Sequence, residues 1–481
     1  MSRVGPTRTL LRGVRLIDGT GAEATTGDLL MEGDKIAAIG PDLPVGDAQV
    51  MDCGGLTLAP GFIDVHTHDD AAVLEKPDML PKISQGVTTV ITGNCGISLV
   101  PLLSDNPIAP LSLLGTRQFR YATLAAYAEA LQKAPPAVNV GALIGHTAVR
   151  ASVVADLDGP ATAEERIRMA ELVSQAMDEG ALGLSSGVFY QSAFAADELE
   201  MVAAARACAV KGGLYVAHIR DELHQTVAAI EEAARVARNG RMPLVLSHHK
   251  CAGPSQWGKS LESLALIDQL HQNQEVHLDA YPYEAGSTVL RPDLVDGVIE
   301  ILITNSTPHP EMAGRWLADI ATEWGSTQKE AMVRLQPGGA CYFQMREDDV
   351  HRILQHPRCM IGSDGLPHDT RPHPRLWGTF PRVLGKMSRD LGLFSLETAV
   401  HKMTGLTAWR YGLSGRGELK LGYAADLVLF DANTVCDKAT WAEPATMATG
   451  IESVWVNGCL TWSNGKSSGQ RAGRFLKRNH G

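Results

Sequence analysis

Eight apolar runs between about residues 61 and 365 constrain this chain more than any other feature. Each ends in a polar or glycine tip, and helix-like segments follow several of them. The tips fall near Val65-His66, Gly93-Asn94-Cys95, Ile144-Gly145-His146 and Leu184-Ser185-Ser186-Gly187. The other four are Val216-Ala217-His218, Leu246-Ser247-His248, Asp279-Ala280-Tyr281 and Gly362-Ser363-Asp364. Amphipathic stretches such as 163–172 and 226–235 lie between them. Strands alternating with helices imply parallel βαβ units, and eight of these imply an α/β chain folded as a (β/α)8 barrel of the TIM type. A doubly wound open sheet is the competing fold, but no G-x-G-x-x-G follows the first run. Such barrels place active sites at the C-terminal ends of their strands, which is where the polar tips fall.

The two ends of the chain read differently. Residues 10–17, 28–31 and 35–40 are short strands, with Glu32-Gly33-Asp34 as a tight turn. Residues 425–431 and 451–458 repeat that pattern near the C-terminus. The expected division is therefore 1–60 and 413–481 as two β-rich parts around a barrel at 61–412. Between Tyr281 and Cys359 the connection is far longer than a plain loop, so residues 285–347 are read as an insertion over the barrel mouth, a lid.

Bulk properties exclude several classes. With 44% hydrophobic and 20% charged residues, the 481-residue chain is typical of a soluble globular protein. A formal charge of −11 argues against a nucleic-acid surface. No apolar stretch is long enough to span a membrane. The start, Met1-Ser2-Arg3-Val4-Gly5-Pro6, has no apolar signal core. The 8 cysteines are scattered without a C-x-x-C pair, which favours free thiols in a reducing compartment. A cytoplasmic location is expected, and the oligomeric state is left open.

The chemistry starts at Gly61-Phe62-Ile63-Asp64-Val65-His66-Thr67-His68. In extended backbone, residues two apart share a face, so His66 and His68 can reach one metal ion. Asp364, after another apolar run, can join them. A histidine pair with a distant carboxylate points to a metal-dependent hydrolase; a solvated turn at a strand end is the plainer explanation of the tripeptide alone.

With these residues assembled, the chain resembles the amidohydrolase superfamily, and within it the N-acyl-D-amino acid deacylases (D-aminoacylases). The match runs from Ala59-Pro60-Gly61 through Gly422-Tyr423-Ala424-Ala425-Asp426-Leu427-Val428. Closer to the subfamily are Gly93-Asn94-Cys95-Gly96, Ser247-His248-His249-Lys250, Tyr281-Pro282-Tyr283, Gly286-Ser287-Thr288, Ser363-Asp364-Gly365 and His373-Pro374-Arg375. Many amidohydrolases carry a bridging, carbamylated Lys after the fourth strand; here that place reads Leu184-Ser185-Ser186-Gly187. The deacylases use a Cys after the second strand instead, where Cys95 stands. The resemblance also implies that the β-rich ends form one β-sandwich and that the insertion is a mobile flap.

The same resemblance implies a set of roles for the site residues. Cys95, His218 and His248 form a tight Zn²⁺ site, a donor set that suits zinc and leaves a fourth position for water. His248 and His249 compete for one role; adjacent strand residues face opposite ways, and the family pattern selects His248. His66, His68 and Asp364 form a second, weaker metal position. Asp364 moves the proton between attacking water and leaving amine. Lys250, Arg375, Tyr281 and Ser287 anchor the substrate carboxylate, with Arg291 and Arg371 as weaker candidates. His146 and His224 are structural. The expected reaction is zinc-dependent hydrolysis of a small-molecule N-acyl-D-amino acid to a carboxylate and a free D-amino acid. N-acyl-D-glutamate is the favoured substrate, because Lys250, Arg375 and Arg291 together exceed what one carboxylate needs. The alternatives are a cyclic-amide hydrolase of the hydantoinase or dihydroorotase type, and an inactive scaffold on the same fold.

Overall fold

The computed structural model describes residues 8–104, 107–115 and 119–478. The first residues of the chain, Met1 to Pro6 among them, lie outside the described residues.

Eight parallel strand positions build the barrel: Phe62–Asp64, Val87–Thr92, Asn139–Ala142 continued by Ile144–Gly145, Gly183–Gly187, Leu214–His218, Leu244–Leu246, Val276–Ala280 and Cys359–Ile361. Each pairs with the next in sequence. The ring closes where the Asp364 N–H donates to His66 O at 2.7 Å and Thr67 bridges Gly365 in parallel. The third position is split at Leu143, pairing with the second strand below it and with the fourth above. Gly93 permits this approach, since a Cβ there would sit 2.1 Å from the Leu143 carbonyl oxygen.

Side-chain alternation fills the barrel. Leu214, Val216, Val245 and Met360 pack inside with Ile63, Val65 and Ile91, whereas Tyr215, Ala217, Leu244, Leu246 and Ile361 face the helices. The interior is an apolar plug beneath the strand tips. His218 continues the inward series of Leu214 and Val216.

The chain ends meet in one sheet. Thr57–Pro60 pairs antiparallel with Leu427–Phe430, placing Pro60 opposite Leu427. Hydrogen-bonded pairing then runs unbroken from Lys35–Gly40 to Lys466–Ser467. Phe475–Leu476 leaves this sheet and pairs in parallel with Val140 and Gly141 of the barrel, a return that the sequence pattern did not announce.

The segment between the seventh and eighth barrel strands is a small folded unit. Gly286–Val289, Gly338–Tyr342 and Ile301–Ser306 form an antiparallel sheet, in that order, beside the helices Leu317–Glu323 and Gln328–Leu335. Leu290, Ile303, Leu317, Met332 and Leu335 give it a buried cluster of its own.

Candidate active site

The strand tips bring Cys95, His66, His68, His218, His248 and Asp364 together, and all six are buried. Cys95 Sγ lies 3.1 Å from His66 Nε2 and 3.3 Å from His248 Nε2. His248 Nε2 is in turn 3.0 Å from His218 Nδ1. Burial alone would push the Cys95 thiol up, but the imidazoles of His66 and His248 outweigh it and hold it well below the usual thiol range. The donor atoms of Cys95, His218 and His248 fall within 4.8 Å of one another, as do those of His66, His68 and Cys95 and those of His66, His248 and Asp364. A thiol held toward thiolate among imidazoles fits zinc.

Three of these residues sit on left-handed backbone: Cys95 at φ +55°, His248 at +34° and Asp364 at +50°. Non-glycine residues occupy that region at a cost and persist there only when their surroundings fix them. For His248 the consequence is decisive. Val245 faces inward, so strict alternation would send His249 to the interior and His248 outward. The strand instead ends at Leu246, and the left-handed turn swings His248 into the cluster. His249 points away and places Nε2 2.9 Å from Ser263 Oγ. The structure places His248, the residue that the family pattern selects, in the cluster, and it does so through the left-handed turn rather than through strand alternation.

Asp364 lies 3.2 Å from His68 Nε2 and 3.6 Å from His66 Nε2 through Oδ1. Its Oδ2 accepts from Arg375 Nη2 at 2.9 Å. Burial favours the protonated form, but Arg375 first and His66 next hold the carboxyl well below the usual range.

The expected substrate anchors are only partly free. Lys250 Nζ is 2.7 Å from Glu222 Oε1 and 2.7 Å from His248 Nδ1. Arg375 is buried, spends one nitrogen on Asp364 and stacks its guanidinium 4.5 Å from the Tyr281 ring centroid. Arg291 grips Asp293 through Nε at 3.1 Å and Nη2 at 2.5 Å. These pairings correct the premise of surplus positive charge at the mouth, because each of the three cations already faces a protein carboxylate. Arg371 turns to the backbone, donating to Ala442 O. His146 is buried against Glu200 at 2.8 Å, whereas His224 is exposed. Tyr281 OH, Ser287 Oγ and Arg375 Nη1 are buried with no hydrogen-bond partner among the described residues. Unpaired buried polar atoms are costly and mark where a polar ligand fits.

Two carboxylates here were not singled out from the sequence. Asp279 accepts the His248 N–H at 2.8 Å and lies 3.1 Å from His66 Nδ1, both through Oδ1. Glu222 faces Lys250, His248 and His218 together. A carboxylate four residues after a strand-tip histidine was the available signal for the second.

Comparison with known proteins places the chain in a family. A model of the amidohydrolase family matches residues 49–323 and 314–461. A D-aminoacylase of Alcaligenes xylosoxydans xylosoxydans is 52% identical over 98% of both chains. The chain belongs to the amidohydrolase family. An N-acyl-D-glutamate deacylase from the same organism is 46% identical over 98% of this chain and 96% of that one. The crystal structure of N-acyl-D-glutamate deacylase from Bordetella bronchiseptica, complexed with zinc and a phosphonate mimic of the tetrahedral intermediate, superposes with a TM-score of 0.94 at 44% identity. It covers 98% of this chain and 100% of that one.

Within this family member, the fourth strand tip carries Ser185 and no lysine. Ser185 Oγ donates to Gly93 O and accepts the Gly96 N–H at 2.9 Å, bracing the loop that carries Cys95. Above the cluster, His68, His218, His248, Lys250, Tyr281, Ser287, Gln344 and Asp364 line a cavity of about 40 Å³ roofed by Leu294 and Tyr342 of the inserted unit. Phe189, Tyr190 and Leu223 separate it from an outer groove of about 970 Å³.

Proposed function

We propose that this chain hydrolyses the amide bond of small-molecule N-acyl-D-amino acids, releasing a carboxylate and a free D-amino acid. One observation carries the reading: the thiol–imidazole cluster shares a cavity with the unpartnered Tyr281 hydroxyl and Ser287 hydroxyl. Cys95, His218 and His248 would hold zinc, with His66, His68 and Asp364 as a second, weaker position. Zinc bound there supplies an acidified water and a Lewis acid for the acyl oxygen.

The chain's own residues do the rest. Asp364, kept ionised beside Arg375, accepts a proton from the attacking water and returns it to the leaving nitrogen. Arg375 Nη1, Tyr281 OH, Ser287 Oγ and Lys250 receive the α-carboxylate and fill their open hydrogen bonds. The inserted unit excludes water from the cavity.

The D-aminoacylase and deacylase relatives support the D-amino acid class. A cyclic-amide hydrolase is not favoured, because the fourth strand tip, Leu184-Ser185-Ser186-Gly187, carries no bridging lysine. The net charge of −11 supports a site without nucleic acid. Among the described residues no helix is long and apolar enough to cross a membrane. All eight cysteines are unpaired, which supports a reducing, cytoplasmic setting. The test is a screen of N-acetyl-D- and N-acetyl-L-amino acids, with free amine as the readout on zinc-loaded protein. Turnover confined to D-substrates is expected; preferential turnover of L-substrates, or none of either, overturns the reading.

A further inference from the structure

Glu222 stands behind two of the proposed zinc ligands. The nitrogens that meet at the cluster are His218 Nδ1 and His248 Nε2, and the other nitrogen of each ring turns toward this one carboxylate. Glu222 Oε1 is 3.3 Å from His248 Nδ1, and Oε2 is 3.7 Å from His218 Nε2. His218 Nε2 has no hydrogen-bond partner among the described residues. A neutral imidazole carries a single N–H, so a ring that offers its lone pair at one nitrogen must hold its proton at the other.

Lys250 complicates this arrangement. Its Nζ is 2.7 Å from both Glu222 Oε1 and His248 Nδ1. An ammonium only donates, so toward Lys250 the His248 Nδ1 must accept. That leaves the His248 proton on Nε2, facing Cys95, where it blocks metal ligation. Toward Glu222, the same Nδ1 must donate, and Nε2 is free. The two contacts select opposite tautomers and exclude each other.

We propose that Glu222 is the positioning residue of the metal centre. It accepts the N–H of His248 Nδ1 and of His218 Nε2, aims both lone pairs at the metal position beside Cys95, and ends the bond between Lys250 and His248. Lys250 stays paired with Glu222, and the N–H it no longer gives to His248 turns toward the cavity that Lys250 lines, where an anion can meet it. Metal loading and recognition of the substrate carboxylate are coupled through one side chain. This inference rests on the proposed zinc site and adds the device that orients it.

The test measures zinc affinity of the metal-stripped protein by competition with a chelator, at fixed pH, without reference to turnover. Glu222→Gln has one carbonyl oxygen and serves at most one histidine, so zinc binds roughly 10–100-fold more weakly. Lys250→Met leaves zinc affinity as it is or raises it. The double variant Glu222→Gln/Lys250→Met stays as weak as Glu222→Gln. Recovery of wild-type affinity in the double variant would mean that Glu222 only neutralises Lys250, and overturns the proposal. So does zinc binding by Glu222→Gln within about threefold of wild type. If Glu222→Gln does not fold, Glu222→Asp replaces it: the charge opposite Lys250 remains, but the carboxylate is drawn back. Zinc affinity then falls in the same direction, and undiminished affinity overturns the proposal. Wild-type protein that takes up no zinc at all would instead refute the underlying reading of the site.

Discussion

Arg375 and Asp364 form a buried ion pair, Nη2 to Oδ2 at 2.9 Å, directly beside His66 and His68. The proposed carboxylate anchor and the proposed proton carrier are thus held by each other before any substrate arrives. Breaking such a pair from one side leaves an uncompensated buried charge, which makes the two residues separable by experiment.

Asp364→Asn removes the proton acceptor but keeps a side chain of the same shape and leaves Cys95, His218 and His248 untouched. Zinc content at the tight position should persist while kcat falls by about 10²–10⁴-fold. Metal analysis and turnover on the same preparation decide it. Activity above about a tenth of wild type, with metal bound, would remove Asp364 from the proton-transfer role.

Arg375→Met tests the other partner. With the guanidinium gone, Asp364 loses the largest of the charges that oppose burial, and its carboxyl pKa rises. A base must be ionised to act, so the acidic limb of the kcat/KM profile should move toward neutral pH, and KM should rise as an anchor is lost. The wild-type limb should lie at lower pH because Asp364 is held well below the usual carboxylate range. A profile that keeps its acidic limb in the variant would show that another group controls it.

The barrel was legible because its physics is periodic. Leu214 and Val216 point inward at every second residue and lead directly to His218, so the pattern located both the strand and its polar tip. His248 was not legible in the same way. Val245 faces inward, and period-two reasoning carried forward strictly would have chosen His249; the left-handed backbone at His248 reverses it, and no sequence pattern marks a non-glycine residue at φ +34°. Glu222 depends on Lys250 and His248 approaching from another strand, a juxtaposition that exists only in three dimensions. The same holds for the carboxylates opposite Arg375, Arg291 and Lys250, which turned an apparent excess of cations into a set of pairs.

Metal analysis of single variants separates the neighbouring histidines. Cys95→Ala and His218→Ala should each lower zinc content sharply, because three protein ligands are the minimum for a tight site with one open position. His249→Ala should retain zinc, since that ring bonds Ser263 and faces away from the cluster. Zinc loss in His249→Ala with retention in His248→Ala would reverse the assignment.

A second pH effect lies away from the site. Burial works to raise the Glu200 carboxyl pKa, but its hydrogen bond to His146 and its pairing with Arg150 bring it down to about 2. The carboxyl titrates near ~4.3 in an unfolded chain, so the native state holds this proton less tightly. Its contribution to stability is complete above the unfolded value and is lost as pH falls toward about 2. Two units or so of depression correspond to about 3 kcal/mol. Urea unfolding of wild type and Glu200→Gln should show a stability gap at about pH 6 that narrows steadily as pH falls from about 4.5 toward 2. A gap independent of pH would show that Glu200 acts through shape alone.

The pairings around the cavity bear on the substrate side chain. An acidic side chain was expected because spare cations would otherwise stay buried without partners, at several kcal/mol each. In the structure Arg291 already holds Asp293 and Lys250 already holds Glu222. A second substrate carboxylate must displace one of these acids, whereas an apolar side chain meets Leu113, Phe189, Leu294 and Leu366 on the cavity wall. N-acetyl-D-leucine and N-acetyl-D-methionine should therefore have kcat/KM values at least equal to that of N-acetyl-D-glutamate. Asp293→Asn adds the sharper test: it frees Arg291, which lies 4.3 Å from the Phe189 ring, and should shift the ratio toward D-glutamate. A wild-type enzyme that prefers D-glutamate, together with an Asp293→Asn variant that leaves the ratio unchanged, would show that a cation other than Arg291 reads the side chain.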